Sequence, residues 1–151
     1  MLYGMLFLII GLDQFTKYLA VKYLKHNGSI VIIKNFLKLS YVENYGAAFG
    51  IMQNKKYIFV IITLIVVIFV TVFLIRNFYN LSKLMKVSLV MLLAGAIGNL
   101  IDRIRLSYVI DFVSVRFSNG YEFPVFNVAD CFIVISTILI IAMIFFNKYE
   151  I

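Results

Sequence analysis

Four stretches of this sequence are long and apolar enough to cross a bilayer. That feature dictates helices, because in lipid each segment must satisfy its own backbone N–H and C=O groups. The stretches run from about Leu2 to Val21, Tyr57 to Ile75, Leu84 to Ile101 and Val128 to Phe146. Each approaches the roughly 20 residues that cover about 30 Å of hydrocarbon. The expected fold is an all-α membrane protein of four transmembrane helices, a single domain over residues 1–151. Composition agrees: 64% of residues are hydrophobic, 14% are charged and the mean hydropathy is +1.02, where soluble domains are about 45–50% apolar and about 25% charged. No basic residue precedes the first stretch and no small-residue cleavage site follows it, so it reads as a retained span and not a cleaved leader.

Four spans put both ends of the chain on one side. Residues 22–56 and 102–127 are long and polar and share the opposite face, while residues 76–83 form a tight connector. In the first long loop, Ile30 to Ile33 and Phe36 to Val42 carry the β-branched residues and period-2 alternation of strands. A small β-sheet on the membrane surface follows. Val109 to Phe117 has similar composition and either extends that sheet or lines a cavity.

The net charge is +7, from fourteen Lys and Arg against seven Asp and Glu. The basic residues are scattered, which suits anionic lipid headgroups better than nucleic acid. Ten of the fourteen fall on the long-loop face, and the positive-inside rule taken alone would put that face in the cytoplasm. One cysteine, Cys131, excludes an internal disulfide, and with one histidine, His26, it leaves no zinc-ligand set. Hydrolysis that uses His as its base, with Ser or Cys as nucleophile, lacks its parts. A Ser–Lys pair has no recognisable spacing at the acidic face.

The acids carry the argument. Four aspartates sit at span boundaries or between them: Asp13 ends span one, Asp102 ends span three, Asp111 lies in the following loop and Asp130 begins span four. All four reach the long-loop face. An Asp at the centre of a membrane helix costs roughly 2.5–3.5 kcal/mol, and less near an interface, so this gathering calls for a function. Polar companions repeat the clustering: Asn99 stands three residues from Asp102, Asn127 three from Asp130, and Thr16 and Lys17 three and four from Asp13, each set on one helical face. Helix caps and interhelical hydrogen bonds are the alternative use for any one of these residues.

Two carboxylates sharing one proton suffice for amide hydrolysis. The ionised one takes a proton from attacking water, and the protonated one polarises the carbonyl and serves the leaving amine. Spacing permits either Asp102 or Asp111 as the partner of Asp130, although Arg103 beside Asp102 suggests an ion pair and a supporting role for Asp102. Two other classes use intramembrane acids. An ion or proton translocator needs polar residues at several depths, and span two offers only Thr63 and Thr71. A noncatalytic scaffold would use the acids to hold helices together.

Five motifs in order carry a resemblance: DQFTK at Asp13 to Lys17, NYGAAFG at Asn44 to Gly50, GNLIDR at Gly98 to Arg103, VIDF at Val109 to Phe112 and FNVAD at Phe126 to Asp130. Over its whole length the chain resembles the lipoprotein signal peptidases, also called signal peptidase II. The resemblance implies a bacterial cytoplasmic-membrane aspartic endopeptidase that removes the signal peptide from diacylglyceryl-modified prolipoproteins, cleaving just before the lipidated cysteine. It implies Asp111 and Asp130 as catalytic residues, with Asn44, Asn99, Arg103 and Asn127 lining the substrate site and Asp13, Lys17 and Asp102 supporting it. It also implies long loops on the outer face, against the charge count, and a monomer in membrane lipid with no cofactor and no nucleic-acid partner. Gly46, Ala47 and Ala48 would let a peptide or acyl chain approach closely. Departures are small: VIDF stands for the commoner VVDF, and Cys131 follows Asp130 where serine is more usual.

Overall fold

The computed structural model describes residues 2–46 and 55–150. Four helices are long and apolar enough to cross a membrane: α1 (Leu2–Leu24), α2 (Lys56–Arg76), α3 (Lys83–Leu106) and α4 (Val128–Phe145). Strands β1 (Ile30–Ile33), β2 (Leu37–Asn44) and β3 (Val109–Val115) form one antiparallel sheet in the order β1-β2-β3. Four spans and a small sheet are what the sequence led one to expect, and Val109 to Val115 does extend the sheet.

The helices differ in what surrounds them. α2 is apolar on every side and buries only Val70, so most of its surface is left for lipid. α3 is central. It buries Met85, Leu89 and Leu93 toward one end and Asn99 and Asp102 toward the other. Small residues allow α4 to come close: a Cβ on Gly95 would lie 2.6 Å from the Ala129 carbonyl oxygen, and one on Gly98 would lie 2.6 Å from Asp13 Oδ2. Both separations are too short for a side chain, so glycine at these points sets the distance between α3 and its neighbours.

One apolar cluster (Val70, Leu81, Met85, Leu89, Leu93, Met143) fills the end of the bundle away from the sheet. A second (Ala20, Leu24, Ile110, Phe112) fastens β3 to the last turns of α1. Alternation along β3 then turns Asp111 away from that cluster and toward the bundle's polar end. Pairing between β2 and β3 contains a bulge: Leu39 is opposite Val113 and Val42 is opposite Asp111, so β2 carries one extra residue.

α3 continues past Ile101, where the apolar stretch stops. Its last turn holds Asp102, Arg103 and Arg105, and Ser107 in the left-handed conformation (φ 75°) ends it.

Candidate active site: a carboxylate pair held by three asparagines

The polar end of the bundle contains two layers. The deeper one is an ionic cluster. Lys17 Nζ lies 2.9 Å from Asp13 Oδ2 and 2.9 Å from Asp102 Oδ2, and it donates to Asn99 Oδ1 at 3.0 Å. All three ammonium protons thus have acceptors, as a lysine only 1% exposed requires. Gln14 Nε2 donates to Asp13 Oδ2, to the Gly98 carbonyl and to Asp102 Oδ1. Asp13 Oδ1 accepts the Ala129 backbone N–H at 2.9 Å, which ties α1 to the first turn of α4. Asp102 Oδ2 accepts the Ile110 backbone N–H at 3.2 Å and so anchors the start of β3.

The ion pair expected between Asp102 and Arg103 is not made. Adjacent residues on a helix point about 100° apart, so Asp102 turns inward to Lys17 while Arg103 turns to the cavity. There its guanidinium lies over the Phe59 ring at 5.3 Å and donates to the Gly46 carbonyl at 3.5 Å.

The upper layer holds the other two aspartates. Asn127 caps α4: its Oδ1 accepts the Asp130 backbone N–H at 3.0 Å, and Asp130 Oδ2 accepts the Asn127 N–H in return at 3.1 Å. Committing that oxygen to the cap leaves Nδ2 free to donate to Asp111 Oδ1, at 2.7 Å. The Asn99 amide is oriented in the same way. Its oxygen accepts from Lys17 and from Asn127 Nδ2, so its nitrogen donates to Asp130 Oδ1, at 2.7 Å. Asn44, at the end of β2, donates to Asp111 Oδ2 at 2.9 Å.

A cavity of about 1170 Å³ opens over this layer, larger than the roughly 300–1,000 Å³ of ordinary small-molecule pockets. Asn44, Asn99, Arg103, Asp111 and Asp130 line it, whereas Asp13, Lys17, Asp102 and Asn127 do not. Its far wall is apolar, formed by Pro124 and Val125 on one side and by Ile133, Val134 and Ile135 of α4 on the other. Burial and the neighbouring Asp130 charge together push the Asp111 carboxyl up from 3.8 to about 6, against the pull of the Asn44 and Asn127 hydrogen bonds. Among the described residues, no group of three or more His, Cys, Asp or Glu side chains is arranged to hold a metal ion. Of the small residues singled out in the sequence, Gly46 is buried and accepts from Arg103. Ala47 and Ala48 lie outside the described residues.

A family model described as signal peptidase (SPase) II matches residues 5–146. The chain belongs to the signal peptidase II family. It is therefore a membrane peptidase with several spans. It is similar to the lipoprotein signal peptidase of Caldanaerobacter subterraneus subsp. tengcongensis, with 52% identity over 133 residues covering 87% of each chain. It is also similar to that of Clostridium tetani, with 44% identity covering 89% of this chain and 86% of that one. A bacterial membrane enzyme solved by the in meso method at 2.3 Å superposes with a TM-score of 0.88 at 36% identity, over 97% of this chain and 88% of the other. A second, at 1.9 Å, gives 0.83 at 38% identity, over 95% and 91%.

Sequence reasoning missed three parts of the site. Gln14 stands out in the sequence only as part of the DQFTK motif, yet it bridges the two buried carboxylates of Asp13 and Asp102. Gly98 makes the room that Asp13 occupies. The Ala129 N–H that Asp13 captures is a backbone group and has no residue-type signal.

Proposed function

We propose that this protein removes signal peptides from prolipoproteins carrying a diacylglyceryl cysteine, cleaving before that cysteine, with Asp111 and Asp130 as the reacting pair. The supporting observation is the division of the four aspartates: Asp13 and Asp102 are spent on Lys17 below the cavity, while Asp111 and Asp130 line it, each held by an asparagine amide.

In this reading the pair shares one proton, because two neighbouring carboxylates resist ionising together. Asp111 carries it, consistent with its raised titration, and Asp130 draws a proton from water attacking the scissile carbonyl. Asp111 protonates the carbonyl oxygen as water adds; the proton taken by Asp130 passes to the leaving amine as the C–N bond breaks, and Asp111 recovers its own from the collapsing diol. Arg103 and the asparagine amides supply further donors toward the developing oxyanion and the peptide. The apolar α4 wall, whose Val134 and Ile135 are also about half exposed on the helix surface, would receive acyl chains arriving from the bilayer.

The setting proposed is the bacterial cytoplasmic membrane, with the sheet and cavity on the outer face and both termini in the cytoplasm. The protein acts there as a monomer in lipid, without nucleic acid. The test is cleavage of a purified diacylglyceryl prolipoprotein by the wild type and by Asp111→Asn, Asp130→Asn and Asp102→Asn variants of verified fold. The first two should be dead and the third should retain turnover; a dead Asp102→Asn beside an active Asp111→Asn would reverse the assignment.

A further inference from the structure

Glu43 precedes Asn44 on β2 and pairs opposite Ile110; with Asn44 and Tyr45 it is among the residues that line the cavity. Three donors converge on its carboxylate: Lys25 Nζ on Oε1 at 3.0 Å, the Tyr41 hydroxyl on Oε1 at 2.9 Å and the Tyr45 hydroxyl on Oε2 at 2.8 Å. The cluster continues outward. The Tyr41 and Tyr108 hydroxyls are 3.3 Å apart, the Tyr108 and Tyr45 rings pack at 5.3 Å, and the Lys25 ammonium sits 5.1 Å from the Tyr41 ring centroid. Lys25 follows the end of α1, Tyr41 and Tyr45 flank Glu43, and Tyr108 lies in the turn between α3 and β3. The cluster around this carboxylate therefore joins the end of α1 to β2 directly and reaches the α3–β3 turn through Tyr41 and Tyr45.

A lone exposed ion pair would contribute little. Three charge-assisted bonds to one carboxylate form a network and fix geometry as well. The same donors draw the Glu43 carboxyl down to about 2, so it is charged across the working pH range. What it fixes is the last residue of β2. Asn44 Oδ1 accepts the Gly46 N–H at 3.0 Å while Nδ2 donates to Asp111 at 2.9 Å, so a shift of the strand end by about 1 Å would break both.

We propose that Glu43 is a positioning residue for the peptidase reaction: its carboxylate locks the end of β2 and thereby holds the Asn44 amide on Asp111. This rests on the reading of Asp111 and Asp130 as the reacting pair. Asp111 is faced by Asp130 from α4, by Lys17 from α1 and Arg103 from α3, and by the amides of Asn44 and Asn127. Donation from Asn44 favours the ionised form of Asp111, so slackening it lets Asp111 keep its proton to higher pH.

The experiment is the pH profile of kcat/KM for cleavage of a diacylglyceryl prolipoprotein. It compares wild type, Glu43→Gln and a Tyr41→Phe/Tyr45→Phe double variant, each of verified fold, with Asp111→Asn as a control on the underlying reading. Both test variants should lose roughly tenfold or more in kcat with little change in KM, and their alkaline limbs should move up by about half a pH unit. Direct removal of the Glu43 charge would move the limb down in Glu43→Gln and leave the tyrosine variant unmoved. Folded variants with an unmoved or lowered limb overturn the inference while a dead Asp111→Asn keeps the dyad standing. An active Asp111→Asn overturns both.

Discussion

Lys17 donates to Asn99 Oδ1, and that bond decides which end of the Asn99 amide faces Asp130. A buried ammonium thus acts on the cavity without lining it. Replacing Lys17 with Met removes this orientation and strands Asp13 and Asp102, 0% and 2% exposed, without a cation. Breaking a buried pair from one side costs about 3–5 kcal/mol. Thermal unfolding in detergent should show a large drop in midpoint, and any folded fraction should cleave poorly.

The Asp111 and Asp130 variants should separate chemistry from folding. Asp111→Asn and Asp130→Asn are expected to lose at least roughly a hundredfold in kcat, the low end for an acid or base. Asp102→Asn keeps the cavity lining and loses part of the Lys17 cluster, so its deficit should fall on thermal stability. Single-turnover cleavage and thermal melts on the same preparations check both.

Asp111 also makes stability depend on pH. Its carboxyl is raised from 3.8 to about 6 in the folded protein. A raised carboxyl binds its proton more tightly when folded, so its contribution is full below about 3.8 and is lost as pH rises through about 6. The change corresponds to about 3 kcal/mol. Between pH 4 and pH 8 the unfolding midpoint should therefore decline, and the decline should shrink in Asp111→Asn. An equal decline in both would show that another group is responsible.

Glycine positions offer a steric test. Gly98→Ala would push a methyl onto Asp13 Oδ2 and disturb its bond to the Ala129 N–H. Gly95→Ala would meet the Ala129 carbonyl. Each should cost about 1–3 kcal/mol. Gly11→Ala meets nothing within 4 Å and should be neutral or slightly stabilising, since alanine favours the helix by about 1 kcal/mol.

What could be read from the sequence was the part governed by hydrophobicity and chain order. Long apolar runs place α1, α2 and α4 to within a few residues, and an even number of spans brings four aspartates to one end. α3 ran beyond its apolar stretch because its last turn serves the site and is polar, so hydropathy stops at Ile101 while the backbone continues to Leu106. How the four aspartates are divided was not legible. Lys17 and Asp102 are 85 positions apart in the chain, and nothing local announces their contact, whereas Arg103 beside Asp102 announced one that helix geometry forbids. The Glu43 cluster was hidden for the same reason: Lys25, Glu43 and Tyr108 meet only when the sheet folds against α1.

The bulge in β2 has a consequence for the cavity's own composition. Were Leu39 to remain opposite Val113 without the extra residue, Tyr41 would fall opposite Asp111 and Glu43 opposite Val109. Side chains would exchange faces along the rest of the strand. Glu43 would then hold the register position from which Asn44 now offers an amide, carrying its negative charge toward a pair that tolerates only one. The wall's polarity is set by a count of residues: deleting one at Ser40 or Tyr41 would straighten the strand and still leave Asn44 opposite Val109, whereas pairing the full-length strand without its bulge would change the site's chemistry without substituting any residue in it.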